Sequence, residues 1–199
     1  METLHTWLHA RERRALRVLG DCAADRRVAA SARALSWCGE HAAVWLATGL
    51  TGAAADPARR EGWLRGTALV AAAHLASMGV KRVVRRPRPR VEGRAPLVRT
   101  AGRHSFPSSH AASAGAAAVA FGAVRPGLGV APLAALVCVS RLVAGVHYPS
   151  DVVAGAALGA LTVRLGARQG VRPGAGQGVR RGVRQSGRRG VRRERGHGC

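Results

Sequence analysis

The sequence predicts an all-α fold, a helical bundle embedded in a membrane with about five transmembrane helices behind an N-terminal amphipathic helix. Three observations carry this expectation. Apolar residues make up 47% of the 199-residue chain although its formal net charge is +22, a combination foreign to a soluble globule. The apolar residues gather into runs separated by basic loops. The runs are also rich in Ala and Gly, the small residues that let membrane helices approach closely.

From about residue 4 to residue 19, Leu4, Trp7, Leu8, Leu16 and Leu19 alternate with charges. This reads as an amphipathic helix lying at a membrane surface; a helix packed in a soluble fold is the alternative. A crossing helix needs about 20 mainly apolar residues. The candidate spans are residues 34–55, which contain Glu40 and His41, 66–84 with His74, 108–124, 127–146 and 151–166. The last two are separated only by His147-Tyr148-Pro149-Ser150. Gly115, and the Gly155/Gly159 pair in a G-x-x-x-G spacing, are suited to helix–helix contact. Residues 169–199 differ: Gly-Val-Arg recurs there with almost no large apolar residue, so this tail has nothing with which to build a core. The domains expected are therefore an interfacial region (1–33), a membrane domain (34–168) and a disordered basic tail (169–199). The tail suits anionic lipid headgroups; nucleic acid is the less favoured partner.

Composition narrows the function classes. Aromatics are only 4%, which removes the stacking platforms of single-stranded nucleic-acid binders. Cys22, Cys38, Cys138 and Cys199 are scattered without a C-x-x-C pair, so zinc and redox readings gain little. Cys38 and Cys138 sit in apolar runs, as buried thiols would. The excess of Arg, with Ala, Gly and Val, is that of a GC-rich bacterial coding sequence, so part of the charge is coding bias.

Three clusters beside the spans carry chemistry: Lys81 with Arg88-Pro89; Pro107-Ser108-Ser109-His110; and Ser140-Arg141 with His147 and Asp151. Lys81, Arg88 and Arg141 are cations suited to phosphate oxygens. Ser108, Ser109 and His110 open an apolar helical run, where backbone N–H groups lack helical partners and face an anion. Asp151 can fix the tautomer of His147, leaving the other ring nitrogen to attack. His110 can protonate a leaving oxygen. Taken singly, each cluster has a plainer reading: a basic loop, a helix cap, a structural pair across a turn. Their joint occurrence in this order changes the odds.

In that order the motifs resemble the type 2 phosphatidic acid phosphatase superfamily, the lipid phosphate phosphatases related to vanadium haloperoxidases. Its pattern, K-x6-R-P, P-S-G-H and S-R-x5-H-x3-D, is met by Lys81, Arg88 and Pro89, by Pro107, Ser108 and His110, and by Ser140, Arg141, His147 and Asp151. Ser109 stands where the family has Gly. The resemblance implies metal-independent hydrolysis, with no cofactor, of a lipid phosphate such as phosphatidic acid or a polyprenyl-linked phosphate. It implies His147 as nucleophile, Asp151 as its orienting partner and His110 as acid and base. It also implies Lys81, Arg88, Ser108, Ser109 and Arg141 as the phosphate cradle, and two imidazoles shifted only modestly from their ordinary pKa. A non-catalytic membrane relative is the rival reading, favoured only by Ser109. Arg26, Arg27, Arg33 and the cations of the 81–103 loop favour a multi-pass cell-membrane protein with a cytoplasmic active site.

Overall fold

The computed structural model describes residues 2–90, 93–100 and 102–170. Seven α-helices follow in order: α1 (Glu2–Cys22), α2 (Arg26–Cys38), α3 (Ala43–Ala55), α4 (Arg60–Val84), α5 (Ser109–Val124), α6 (Val130–Val143) and α7 (Pro149–Gly170). Among the described residues the only β pairing is an isolated antiparallel bridge between Pro87 and His104. The expected tail lies outside the described residues from position 171 on.

Local chemistry explains where the helices begin. The Asp25 carboxylate caps α2 by accepting from Arg27 N–H at 2.7 Å. Ser108 caps α5 through its hydroxyl, which accepts from Ala111 N–H. Pro149 opens α7 at the position where a missing N–H costs nothing.

The stretch 34–55 is not one helix. Gly39 ends α2, a 3-10 turn covers Glu40–Ala42, and Ala42 takes a positive φ of 62° before α3 starts. At this bend the end of α2 lies against His110, whose Nε2 is 3.1 Å from the Ser36 carbonyl oxygen. Two stretches, Pro57–Val84 and Pro149–Arg168, are long and apolar enough to cross a membrane; Ala43–Ala55, Ser109–Val124 and Val130–Val143 are shorter apolar helices. At 1.5 Å per residue a 13-residue helix such as α3 covers about 20 Å, against a hydrocarbon core of about 30 Å.

The interior is small and the exterior large. The core holds Trp45, Trp63, Phe121, Val70 and Val137 among many alanines, with Trp63 and Phe121 rings 5.3 Å apart. Leu64, Leu75, Leu136, Leu161 and Leu165 are exposed on the outside of α4, α6 and α7. An apolar outer surface over an Ala/Gly interior is the pattern for lipid contact, since packing in a bilayer comes from close backbone approach. α1 lies against α6 and α7 with Leu16 buried and Trp7 exposed. Cys38 is exposed at the end of α2 rather than buried, and Cys138 is half-buried.

α5 and α7 pack most extensively, at glycines. A Cβ on Gly159 would stand 2.0 Å from the Ala112 carbonyl oxygen, one on Gly155 would stand 2.4 Å from that of Ser108, and one on Gly115 would stand 2.5 Å from that of Ala156. Backbone cannot yield there as a flexible side chain could. Gly159→Val should therefore destabilise the protein by about 1–3 kcal/mol, the cost of overpacking. Gly79→Ala, in a helix with nothing within 4 Å of the new atom, should hold or gain about 0.5–1 kcal/mol. Thermal unfolding of the two variants in detergent measures the contrast.

Candidate active site

The α5–α7 contact brings the three sequence clusters to one end of the bundle. Lys81 arrives from the last turn of α4, Arg88 from the loop after it, Ser109 and His110 from the first turn of α5, Arg141 from the end of α6, and His147 from the loop between α6 and α7. All six line one cavity of about 800 Å³. Asp151 and Ser108 stand behind it, fully buried.

His147 is held from both sides. Its Nδ1 lies 3.6 Å from Asp151 Oδ2, just beyond hydrogen-bonding distance, so a small ring rotation makes the bond. Its Nε2 lies 3.5 Å from Arg88 Nη1. An arginine can only donate, so Nε2 is the nitrogen with the lone pair and Nδ1 the one that carries the proton towards Asp151. Arg88 is fixed in turn, its Nε donating to Gly102 O at 2.9 Å and its Nη1 to Val146 O at 2.8 Å. Burial pushes the His147 imidazole down to about 4; Asp151 opposes this, and Arg88, Lys81 and Arg141 add to it. That is a far larger displacement than the modest one expected from sequence, and it keeps the ring neutral at neutral pH.

His110 is oriented by an element the motif does not contain. Its Nε2 is 3.1 Å from the Ser36 carbonyl oxygen, one of the last carbonyls of α2 and so without a helical partner. A carbonyl only accepts, so the fixed proton sits on Nε2 and Nδ1 is left for the mobile one. Gly39 makes room, since a Cβ there would come within 2.9 Å of His110 Cδ2.

Arg141 is the electrostatic centre. It is only 2% exposed, and among the described residues neither its Nε nor its Nη1 has a hydrogen-bond partner. A buried guanidinium with open donors, beside Lys81 and Arg88, is costly unless an anion completes it. Ser109 and His110 add the first-turn N–H groups of α5. Ser108 is fully buried behind the cavity: its N–H donates to the Asp151 carbonyl at 2.9 Å, and its hydroxyl oxygen accepts the α5 cap bond from Ala111 N–H at 3.4 Å.

Sequence reasoning missed Glu12, Ser36, Arg86 and Tyr148 around the site. The Arg86 guanidinium donates to Asp151 Oδ1 at 2.8 Å and to Glu12 Oε2 at 2.7 Å, and lies 4.0 Å from the centre of the Tyr148 ring. Arg86 was visible only as one arginine in a basic stretch, and no spacing rule ties residue 12 to residue 86.

Comparison with known proteins finds relatives of this chain. Residues 63–173 match the PAP2 superfamily. The decaprenylphosphoryl-5-phosphoribose phosphatase of Mycolicibacterium smegmatis is 50% identical over 132 residues, 64% of this chain and 71% of that protein. The enzyme of the same name from Mycobacterium tuberculosis is 46% identical over 135 residues, 66% of this chain and 74% of that protein. A crystal structure of a transmembrane PAP2-type phosphatidylglycerolphosphate phosphatase from Bacillus subtilis superimposes with a TM-score of 0.49 at 23% identity, covering 79% of this chain and 94% of that one.

The depressed His147 sets a pH dependence. For a nucleophile at His147 the reactive form is the neutral ring, so kcat/KM is expected to stay on its plateau as pH falls through 6.5 and to decline only towards about pH 4. A pH–rate profile of the purified protein checks this; an acid limb at the ordinary histidine value would mean that His147 is not buried among cations.

Proposed function

The chain belongs to the PAP2 superfamily, and from that premise we propose that it is a membrane lipid phosphate phosphatase that works through a phosphohistidine at His147. The observation that carries this reading is Arg141, a buried cation with open donors beside a neutral, tautomer-fixed histidine. In the first step the Nε2 lone pair attacks phosphorus, the ester P–O bond breaks, and Nδ1 of His110 protonates the departing oxygen. In the second, His110 takes a proton from water, the water oxygen attacks the phosphohistidine, and the P–N bond returns its electrons to Nε2. Lys81, Arg88, Arg141 and the N–H groups of Ser109 and His110 hold the phosphate and meet the charge that develops on its oxygens. Asp151 stabilises the imidazolium character of His147.

The substrate we propose is a polyprenyl-linked sugar phosphate, specifically decaprenylphosphoryl-5-phosphoribose, the compound in the names of the mycobacterial relatives. The cavity supports this choice. Beyond the phosphate cradle it is lined by Glu40 and Thr100, which suit sugar hydroxyls, and by Arg33 and Arg99, which suit the second phosphate joining sugar to lipid. Trp37 and Met78 line it as well and suit the polyprenyl chain. The enzyme is a multi-pass protein of the cell membrane, with the site on the cytoplasmic face favoured by Arg26, Arg27, Arg33 and the 81–103 loop.

Purified protein tested on a panel of lipid phosphates should turn over the polyprenyl phosphoribose at least about 10-fold faster than phosphatidic acid, a difference of about 1.4 kcal/mol. Equal rates would overturn the substrate assignment. His147→Ala should abolish turnover, and labelled phosphate should be trapped on His147 as an acid-labile, base-stable adduct. His110→Ala should lose about 10²–10⁴-fold on the lipid yet recover in part on nitrophenyl phosphate, whose leaving group needs no proton. Wild-type turnover in His147→Ala would end the mechanism.

A further inference from the structure

The carboxylate of Asp151 serves three neighbours at once. Its Oδ2 faces His147 and accepts the Tyr148 N–H at 2.8 Å, while its Oδ1 accepts from Arg86 Nη1 at 2.8 Å. A cation on Oδ1 draws charge away from the face that must stabilise the histidine. On the far side of that cation stands Glu12, from the N-terminal amphipathic helix, which takes Arg86 Nη2 at 2.7 Å. The two side chains are 13% and 19% exposed, sheltered enough for the charges to matter. Glu12 Oε1 also accepts from Ser150, through its N–H at 3.1 Å and through its hydroxyl, which itself receives Arg86 Nη1 at 2.7 Å. Ser150 is in the first turn of α7 and precedes Asp151. Burial would raise the Glu12 carboxyl, but the hydrogen bonds from Ser150 and Arg86 hold it below its usual range, so it is ionised at neutral pH.

We propose that Glu12 is a positioning residue for the His147–Asp151 pair, acting through Arg86 and Ser150: it caps the first turn of α7 that carries Asp151 and balances the Arg86 charge that would otherwise be spent on Asp151. The charges then alternate from Glu12 through Arg86 and Asp151 to the cationic ring formed in the reaction. Glu12 lies outside residues 63–173, so the family match does not include it. Docking of α1 thereby becomes part of the active site rather than an attachment to it. The kinetic consequence rests on the phosphohistidine reading above; the effect on His147 itself does not.

The test uses the full chain in detergent micelles with two readouts. In Glu12→Gln, which keeps the shape and loses the charge, kcat should fall about 10-fold with KM within about twofold, the size expected for an outer partner that orients a functional histidine. Glu12→Asp, which restores the charge on a shorter stem, should recover part of the loss. The second readout is nitrogen NMR of histidine-labelled protein, with the His147 signals assigned by their absence in His147→Ala. Glu12→Gln should move those signals from the Nδ1-protonated form towards a tautomer mixture. Unchanged His147 signals in Glu12→Gln would overturn the inference, whatever kcat does. If the wild type hydrolyses no lipid phosphate but the signals still move, the phosphatase reading fails and the clamp stands. Should Glu12→Gln not fold, Arg86→Lys carries the same two measurements: a point charge cannot fork between Glu12, Ser150 and Asp151, so its signals should move too, and unmoved signals there would count equally against the clamp.

Discussion

The contact on which the site depends is the one between α5 and α7, where backbone meets backbone. Gly155 and Gly159 leave no side chain between the helices, so the carbonyls of Ser108 and Ala112 rest directly on α7. The Ser108 N–H then reaches the Asp151 carbonyl, joining the start of α5 to the start of α7. His110 stands two residues beyond that joint on α5, and His147 stands four residues before Asp151 in the loop that leads into α7. A single methyl group at the crossing would push the two histidines apart, and a two-step phosphoryl transfer needs both within reach of one phosphorus atom.

Around this joint the protein concentrates positive charge that Glu40 and Asp151 offset only in part. Arg86 has its carboxylates, but Arg141 lies buried with open donors, and Lys81 and Arg88 face the same cavity. Such an arrangement is unfavourable in the empty protein and becomes favourable when a dianionic phosphate enters. The same cations, with burial, keep His147 neutral. In the proposed mechanism phosphate binding and nucleophile activation therefore share one electrostatic cause.

The small-inside, large-outside packing links this site to its setting. Alanines and glycines bring the helices close enough for Ser108, Ser109 and His110 to sit against α7, while Leu75, Leu136 and Leu161 are left outside. A water-soluble bundle would bury those leucines and lose the close backbone crossing. Helix α1 reaches the neighbours of Asp151 through Glu12, which accepts from Arg86 and from Ser150.

The sequence by itself determined the helical class, the three motifs and the identity of the residues that meet in the cavity. Helix-length apolar runs and ordered chemical spacing are properties of the linear chain, so Lys81, Arg88, Ser109, His110, Arg141, His147 and Asp151 were legible there. The lengths of the helices were less so, because Ala-rich runs do not record where a helix is cut short; the bend at Gly39–Ala42 falls where the Ser36 carbonyl meets His110 of another helix. Tertiary structure alone decided that Ser108 would brace the start of α5 against α7, that burial would depress His147 so far, and that Arg86 and Glu12 would bracket Asp151. Each of these depends on atoms distant in sequence coming within about 3 Å of one another, and hydrogen bonds and desolvation act on distance in space, which spacing along the chain does not encode.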